Sequence, residues 1–359
     1  MPAGRPSPVW FCLCLFALAA CGDSDPVPKS PTAVTPPTPA PIRFQLPTAN
    51  RALFDTGGEP RFFTATGPDY PWSSGAFGCV RNSGTRFHEG IDIQCLSRDT
   101  QGEPIDPVHC AAPGRVAFVN RAASASDYGQ YIVVLHEIDQ LTIYTLYAHL
   151  REIHADIRPQ SVVQAGQTLG TLGRSAKSAI PRERAHLHFE IGLLGSPHFD
   201  ACLRHWYKDP SPNPFGNWNG QNLLGLDPAA LLLKQNEARA AFSLRSYITA
   251  LPALCTVRIH KSALPLAERY PALLAAPALA TTPVAYEVDL NPQGVPLRIR
   301  ALASGVVKPK TGAYELIAVD EALEAQHRCS KLVLKKGRAW TLTDRGQRAL
   351  DLFAYVPGT

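Results

Sequence analysis

The stretch HLHFEIGLL at residues 186–194 has the alternation that decides the fold. Successive side chains of a β-strand point to opposite faces, so His186, His188 and Glu190 share one face. The residues between them are Leu, Phe and Ile, which belong in an apolar core. The segment therefore predicts a half-buried strand that holds two imidazoles side by side.

Three segments upstream have the β-branched and aromatic composition of strands: GRVAFVN (114–120), QYIVVLHEI (130–138) and LTIYTLYAHL (141–150). Turn residues separate them, and glycines at 166, 170 and 173 indicate tight bends. Short strands joined by turns predict an antiparallel sandwich or barrel-like sheet.

The chain changes character after this strand. Residues 195–225 are rich in Pro, Asn and aromatic residues and are predicted to form a long loop. LDPAALLLKQNEARAAF (226–242) then predicts a helix with Asp227 as N-cap and Pro228 at its first position. Residues 243–359 contain five strand-like segments: CTVRIH, VAYEVDL, PLRIRALASGVV, YELIAVD and KLVLKKGRAWTL. The predicted class is mainly β, an antiparallel sheet domain plus a smaller β-rich C-terminal region.

The N-terminus has the pattern of an export signal. Its apolar stretch, residues 9–20, is too short to span a bilayer core of ~30 Å. It ends in LAAC at 18–21, and small residues before a cysteine resemble the lipobox of bacterial lipoproteins. This resemblance implies cleavage before Cys21 and lipidation of Cys21. An ordinary signal peptide cut after Ala20 is the alternative.

Composition divides the chain into four segments. A signal peptide over 1–20 precedes a Pro-rich tether over 21–45, a domain over 46–230 and a C-terminal region over 231–359. The role of the last region stays open between a binding module and a structural cover. The formal net charge is +5, and because no long basic run occurs, we expect no nucleic-acid partner.

The cysteines after Cys21 are even in number: Cys79, Cys95, Cys110, Cys202, Cys255 and Cys329. An even number is typical of paired cysteines in an oxidising compartment. None lies in a CxxC pair, so a thiolate zinc site is not expected. We expect Cys255 to pair with Cys329, because both lie in the C-terminal region, and the other four to stay together in the central domain.

Two more segments carry histidines that can join the pair on the HLHFE strand. RFHEGIDIQC (86–95) places His88 and Asp92 four residues apart, and TLYAHL (145–150) ends in His149. A straight strand would hold the Cα atoms of His88 and Asp92 about 13 Å apart. Gly90 lies between them and is expected to let the chain bend so that they converge.

Imidazole and carboxylate groups in this combination suit Zn²⁺. A catalytic zinc keeps three protein ligands and one open position. His88, Asp92 and one of the paired histidines would supply the three, and the remaining histidines could move protons. The helical HExxH pattern does not apply, because position 92 is Asp.

In order, HEGID (88–92), YAH (147–149) and HLHFE (186–190) resemble the motifs of lysostaphin-like, or LytM-type, zinc metallopeptidases. The resemblance covers about residues 80–230. It implies a LytM-type (duplicated hybrid motif-like) antiparallel sheet with an open groove, and a metallopeptidase domain over 46–230. It also implies one zinc per chain on His88, Asp92 and His188, with His149 and His186 as the catalytic pair.

The resemblance implies a zinc-dependent endopeptidase that hydrolyses peptide cross-links or stem peptides of bacterial peptidoglycan. A non-catalytic LytM-type regulator that binds the wall or activates another cell-wall hydrolase is the alternative. A phosphotransfer protein with paired histidines on a similar β scaffold is a third possibility, which the export signal disfavours. The charged stretch 176–185 and the aromatic loop 195–225 depart from the family pattern and leave substrate preference open.

The N-terminal pattern also suggests a location. A lipid anchor at Cys21 and peptidoglycan peptides as partners indicate the cell envelope of a Gram-negative bacterium. Gly22 follows the cysteine, whereas Asp there would favour the inner membrane. We therefore expect the outer membrane, facing the periplasm. The oligomeric state stays open.

Overall fold

The computed structural model describes residues 42–67, 69–275, 281–307 and 313–357. The signal peptide, Cys21 and nearly all of the predicted tether lie outside these ranges, and those interpretations stay predictions. The described residues all belong to one compact unit of the chain, Pro41–Thr359. None of the helices in these ranges combines the length and the hydropathy of a bilayer-spanning segment.

Strands dominate the described residues. In chain order they are β1 (Gly78–Arg81), β2 (Arg86–His88), β3 (Ile91–Gln94), β4 (Pro107–His109), β5 (Gly114–Asn120), β6 (Tyr131–Ile138), β7 (Leu141–Ala148), β8 (Glu152–Ile153), β9 (Val162–Val163), β10 (Thr168–Thr171), β11 (His186–Leu194), β12 (Leu223–Leu226), β13 (Cys255–Ile259), β14 (Ala285–Leu290), β15 (Pro296–Leu302), β16 (Tyr314–Val319), β17 (Val333–Lys336) and β18 (Ala339–Leu342).

The α-helices are short. They are α1 (Glu59–Phe62), α2 (Phe199–Trp206), α3 (Pro228–Ala238), α4 (Leu244–Ala250), α5 (Pro265–Arg269), α6 (Glu321–Gln326) and α7 (Asp344–Ala354). Helix α3 confirms the predicted cap, because the Asp227 side chain accepts hydrogen bonds from the backbone N–H groups of Ala229 and Ala230.

The largest sheet has the strand order β12-β11-β7-β6-β5-β9, and β3 also pairs with β11. Its strand pairs are antiparallel. A smaller sheet has the order β4-β10-β8. The predicted fold class, mainly β with antiparallel sheets, is confirmed. The predicted strands 114–120 and 186–194 coincide with β5 and β11 residue for residue.

Strand β11 is an interior strand of this sheet, with β7 on one side and β3 and β12 on the other. Its apolar face, Leu187, Phe189 and Ile191, is fully buried in the main core, and each such side chain contributes about 1.5–3 kcal/mol through burial. The opposite face is buried as well, since His188 is 5% exposed and Glu190 is 0% exposed. The sequence predicted a half-buried strand. That prediction was wrong because aromatic side chains from neighbouring segments cover the polar face.

The C-terminal residues form a four-stranded antiparallel sheet of order β15-β14-β13-β16 and the hairpin β17-β18. Helix α3 crosses the predicted boundary at position 230, and its Gln235 side chain bonds to both backbone groups of Phe44, at 2.9 and 2.7 Å. The division into domains at 230 therefore stays a prediction.

The predicted loop 195–225 contains regular structure. Helix α2 occupies residues Phe199–Trp206, and β12 begins at Leu223 and pairs with β11. Phe199, Cys202 and Leu203 are the buried residues of α2, and their spacing is the i, i+3, i+4 pattern of a short amphipathic helix. The sequence analysis missed this helix because the surrounding Pro and Asn residues are typical of a loop.

The disulfide in the structure joins Cys79 to Cys329, with Cα atoms 5.7 Å apart. The predicted Cys255–Cys329 pair is wrong, and so is the grouping of Cys79 with the other central cysteines. Within the described ranges the cysteines without a disulfide are Cys95, Cys110, Cys202 and Cys255, all of them buried. Pairing follows proximity in the folded chain, where Cys329 lies beside the β1–β2 hairpin, and not proximity in sequence.

Replacing Cys79 and Cys329 together by Ser is expected to lower the free energy of unfolding by about 2–4 kcal/mol. The cross-link restricts the unfolded chain, and it spans 250 residues. Urea unfolding of the wild type and the double variant, each with and without reductant, measures the effect. Reductant should destabilise the wild type and leave the variant unchanged, and equal stability of both proteins without reductant would contradict the prediction.

Candidate metal centre

Three side chains from separate strands converge at one point: His88 at the end of β2, Asp92 in β3 and His188 in β11. Asp92 and His188 are direct partners in the antiparallel β3–β11 pair, so their side chains leave the sheet together. His88 reaches them across a tight connection at Gly90. A Cβ atom there would lie 2.4 Å from the Phe189 carbonyl oxygen, so this position requires glycine for space.

The three ligand-type atoms are nearly equidistant. His88 Nε2 lies 3.2 Å from Asp92 Oδ1 and 3.1 Å from His188 Nδ1, and His188 Nδ1 lies 3.1 Å from Asp92 Oδ1. Ligands about 2.0–2.1 Å from a tetrahedral zinc ion are separated from each other by about 3.3 Å. The structure thus brings the three predicted ligands into an arrangement that fits zinc.

Hydrogen bonds fix which ring nitrogen of each histidine carries a lone pair. His88 Nδ1 lies 2.6 Å from the Ala76 carbonyl oxygen and must donate to it, which leaves the lone pair on Nε2. His188 Nε2 lies 2.9 Å from Glu190 Oε1, which leaves the lone pair of the neutral ring on Nδ1. In the neutral rings both lone pairs therefore face Asp92, and a group of this kind favours a neighbouring cation.

Glu190 holds His188 in this orientation. Its carboxylate is fully buried and accepts hydrogen bonds from the Tyr128 hydroxyl at 2.6 Å and the Tyr144 hydroxyl at 2.9 Å. Carboxylates bonded to the far nitrogen of a metal-binding histidine fix its orientation and raise its basicity. Sequence alternation placed Glu190 on the histidine face. It did not find the two tyrosines, because they reach Glu190 from separate parts of the chain.

Arg81 is a site residue that the sequence analysis missed. It ends strand β1, and its guanidinium donates a hydrogen bond to His88 Nε2 at 2.8 Å and another to Asp92. A register shift in the β1–β2 pair occurs between Cys79 and Arg81. No local pattern marks this arginine, because its position depends on the pairing of β1 with β2.

The electrostatics agree with a cation site. Burial opposes ionisation of Asp92, but His186, His88 and Arg81 outweigh it and hold the pKa of the carboxyl well below its ordinary value. Burial also opposes a charge on His188, yet hydrogen bonds to Asp92 and Glu190 raise its pKa to about 9. The site therefore favours positive charge beside Asp92. The Arg81 guanidinium and a proton on His188 supply it in this structure, and a metal ion on the three ligand atoms would displace both from those atoms.

His149 and His186 lie beside this group. Their ring centroids are 4.9 Å apart. His149 Nδ1 donates to the Ser175 carbonyl at 2.9 Å and His186 Nδ1 to the Arg184 carbonyl at 2.7 Å, so both rings keep Nε2 for other chemistry. Burial and the neighbouring His186 and His188 lower the pKa of His149 well below its ordinary value. His149 is thus a neutral base at pH 7.

The backbone at His149 is unusual. Its φ of 61° lies in the left-handed region, which non-glycine residues adopt rarely and mostly where the surrounding structure enforces it. Strand β7 ends at Ala148, the Cα partner of His188, and the backbone N–H of His149 donates to the Tyr128 carbonyl at 2.9 Å. The turn at this point places the imidazole of His149 next to those of His186 and His188.

All five predicted site residues line one open cavity of about 300 Å³, together with Thr66, Arg81, Asn82, Arg86, Phe87, Glu89, Asp127, Tyr128, Ile180 and Arg184. The aromatic residues of segment 195–225 do not line it. Trp206 donates to Asp351 at 2.8 Å and packs under Arg348, whereas Phe215 packs near Phe118 and Tyr131.

Replacing Glu190 by Gln is expected to weaken zinc binding by about 10–100-fold. The amide keeps the shape but loses the charge, and it offers one acceptor oxygen where His188, Tyr128 and Tyr144 need a carboxylate. Competition with a chromophoric chelator measures the affinity. Tyr144→Phe removes one hydrogen-bond donor to the same carboxylate and should lower zinc affinity by less than Glu190→Gln does. Wild-type affinity in Glu190→Gln would rule out this positioning role.

Residues 86–199 match the model of Peptidase family M23. This match covers about a third of the chain and contains His88, Asp92, His149, His186 and His188. The part of the chain that forms the candidate metal centre is therefore similar to the M23 peptidases.

Several solved structures are similar to the chain. The catalytic domain of the antimicrobial peptidase lysostaphin from Staphylococcus simulans is 19% identical, with 44% of this chain and 87% of that chain covered and a TM-score of 0.27. A zinc-containing peptidase from Vibrio cholerae is 23% identical over 37% of each chain, with a TM-score of 0.26. Helicobacter pylori Csd3 is 20% identical over 50% of this chain and 40% of that chain, with a TM-score of 0.24. No curated protein matches the chain.

Proposed function

We propose that this protein is a zinc-dependent endopeptidase that hydrolyses peptide cross-links or stem peptides of bacterial peptidoglycan. The observation that carries the proposal is the cluster of His88 Nε2, Asp92 Oδ1 and His188 Nδ1 at mutual distances of 3.1–3.2 Å. The cluster lies inside the segment that matches a peptidase family. Two further histidines line the same cavity.

His88, Asp92 and His188 would hold one zinc ion per chain. When bound, zinc would polarise the scissile carbonyl and lower the pKa of a water molecule towards ~7. The residues supply orientation, because Ala76 and Glu190 fix the two imidazoles through their far nitrogens. All three side chains line the open cavity, through which a peptide carbonyl would reach the site.

His149 and His186 are the proposed catalytic residues. Peptide hydrolysis joins a water oxygen to the carbonyl carbon, breaks the C–N bond and moves one proton to the leaving amine. The neutral His149 has its Nε2 lone pair available, so it can take the proton from water and later give it to the amine. His186 Nε2 lies 3.4 Å from Asp92 Oδ1. Because His186 Nδ1 already donates to the Arg184 carbonyl, His186 would stabilise negative charge on the carbonyl oxygen as an imidazolium, which carries a proton on Nε2 as well.

The substrate proposal rests on the motif resemblance together with the N-terminal segment. A lipid anchor at Cys21 and an extended tether of about twenty residues, reaching about 60 Å, would keep the domain within reach of the cell wall. We propose a location at the outer membrane facing the periplasm, with peptidoglycan peptides as partners.

Digestion of purified sacculi, followed by mass spectrometry of the soluble fragments, tests the proposal. We expect new peptide termini that form with zinc-loaded protein and disappear after chelation. The fragment masses would also identify the bond that is cut. A protein that holds one zinc ion per chain and releases no fragment would instead support the non-catalytic, wall-binding alternative.

A further inference from the structure

A second cavity of about 610 Å³ lies next to the metal-centre cavity. Phe87 and Glu89 line both cavities, and His88 lies between these two residues in the chain. Strand β12 provides a further wall and approaches the metal side closely, because a Cβ atom on Gly225 would lie 2.6 Å from the Glu89 carbonyl oxygen. The two cavities therefore border the same segment at the end of β2, and a peptide at the metal centre that passes Phe87 and Glu89 would reach the second cavity.

The far wall of this cavity comes from outside the segment that matches the peptidase family. Helix α7 contributes Arg345 and Arg348, which are three residues apart and so lie on the same side of the helix. The helix is bonded to α2, since Asp351 accepts a hydrogen bond from Trp206 at 2.8 Å. Helix α7 of the C-terminal region thus contributes two cationic side chains to the lining of the second cavity.

The two arginines differ in how they are held. Arg348 donates to the Tyr207 hydroxyl at 2.6 Å and lies over the rings of Trp206 and Tyr207. Arg345 is exposed. Within the described part of the chain neither guanidinium forms a salt bridge with Glu89 or Asp344, the two carboxylates of the cavity lining. Arg345 is therefore available to bind an anionic group of a ligand.

We propose that this second cavity is a specificity subsite in which Arg345 binds a free carboxylate of the peptide substrate. The proposal rests on the proposed peptidase function and adds a role for the C-terminal region. A planar guanidinium suits a carboxylate, which it can bind through two parallel hydrogen bonds. Arg348, which is held by aromatic rings, would support the charge of the subsite without having to move.

Binding of two synthetic peptides tests the subsite separately from catalysis. The probes are the stem-type tetrapeptide Ala-D-Glu-Lys-D-Ala with an amidated C-terminus and the same amidated peptide with D-Gln, so that they differ only in the free carboxylate. Both are titrated calorimetrically into zinc-loaded His149→Ala protein. We expect the carboxylate peptide to bind about tenfold more tightly than its amide. Adding Arg345→Ala should remove this preference, and Arg345→Lys should restore part of it.

Arg338→Ala is the matched control, because Arg338 is an exposed arginine of the β17–β18 hairpin that does not line the cavity. Equal binding of both peptides, or a preference that survives Arg345→Ala, would overturn the subsite. A preference that depends on Arg345 in a protein that cuts neither peptide nor sacculi would support the subsite and reject the peptidase. Cleavage of both peptides with equal KM in wild type and Arg345→Ala would support the peptidase and reject the subsite.

Discussion

Asp92→Ala is expected to lower zinc affinity by about a thousandfold or more and to abolish peptide hydrolysis. Removing a carboxylate that hydrogen-bonds to a metal-binding histidine lowers metal affinity by about 10–100-fold. Loss of a charged ligand itself is expected to lower the affinity further. The Asp92 carboxylate is also the group towards which the ligand nitrogens of both His88 and His188 point. Metal analysis of protein purified without added zinc, followed by titration against a competing chelator, measures the loss.

Two further variants make this result specific. Asp92→Asn keeps the shape of the side chain and should also lose most of the affinity, which separates loss of charge from a cavity in the fold. Asp156→Ala removes an exposed carboxylate elsewhere and should bind one zinc ion like the wild type. Stoichiometric zinc with wild-type affinity in a folded Asp92→Ala protein would reject the proposed ligand set.

His149→Ala is expected to keep one zinc ion per chain while kcat falls by about 10²–10⁴-fold, the range for loss of a general acid–base group. The ring lies outside the group of three ligand atoms, and its Nδ1 is committed to the Ser175 carbonyl. Metal content and turnover of the same preparation, with a zinc-loaded protein at saturating substrate, give both quantities.

The left-handed backbone at position 149 calls for a second variant. His149→Asn tolerates a positive φ better than alanine does, so it should fold like the wild type and show the same fall in kcat. His154→Ala, a histidine that does not line the cavity, should leave turnover unchanged. Loss of zinc from both His149 variants, equal to that of Asp92→Ala, would show that ligand and proton-carrier roles are misassigned.

Local sequence patterns predicted the bounds of individual strands and helices. Alternation over 186–194 gave the bounds of β11 and the shared face of its histidines, and the Asp-Pro pair at 227–228 gave the start of α3. Reasoning from the residues left open which of the two paired histidines joins His88 and Asp92, and the motif resemblance implied His188. The side chains of His88, Asp92 and His188 lie within 3.2 Å of one another, and their role as ligands stays a prediction.

Features that depend on tertiary pairing were missed. Arg81 reaches the site only because β1 pairs with β2, and Cys329 lies near Cys79 only after the C-terminal region has packed against this hairpin. The burial of Glu190 depends on tyrosines 62 and 46 residues away. Neither periodicity nor composition contains this information, because each contact joins segments that are far apart in sequence.

The position of His188 between Asp92 of β3 and Ala148 of β7 connects metal binding with the accuracy of folding. A strand that slips by one residue turns its whole set of side chains over. A slip of one residue in β11 would put either Leu187 or Phe189 opposite Asp92 and would turn both imidazoles towards the apolar core. Only the correct alignment of β3, β7 and β11 therefore assembles the proposed zinc site, and zinc uptake would then distinguish correctly folded chains from misaligned ones before any substrate is added.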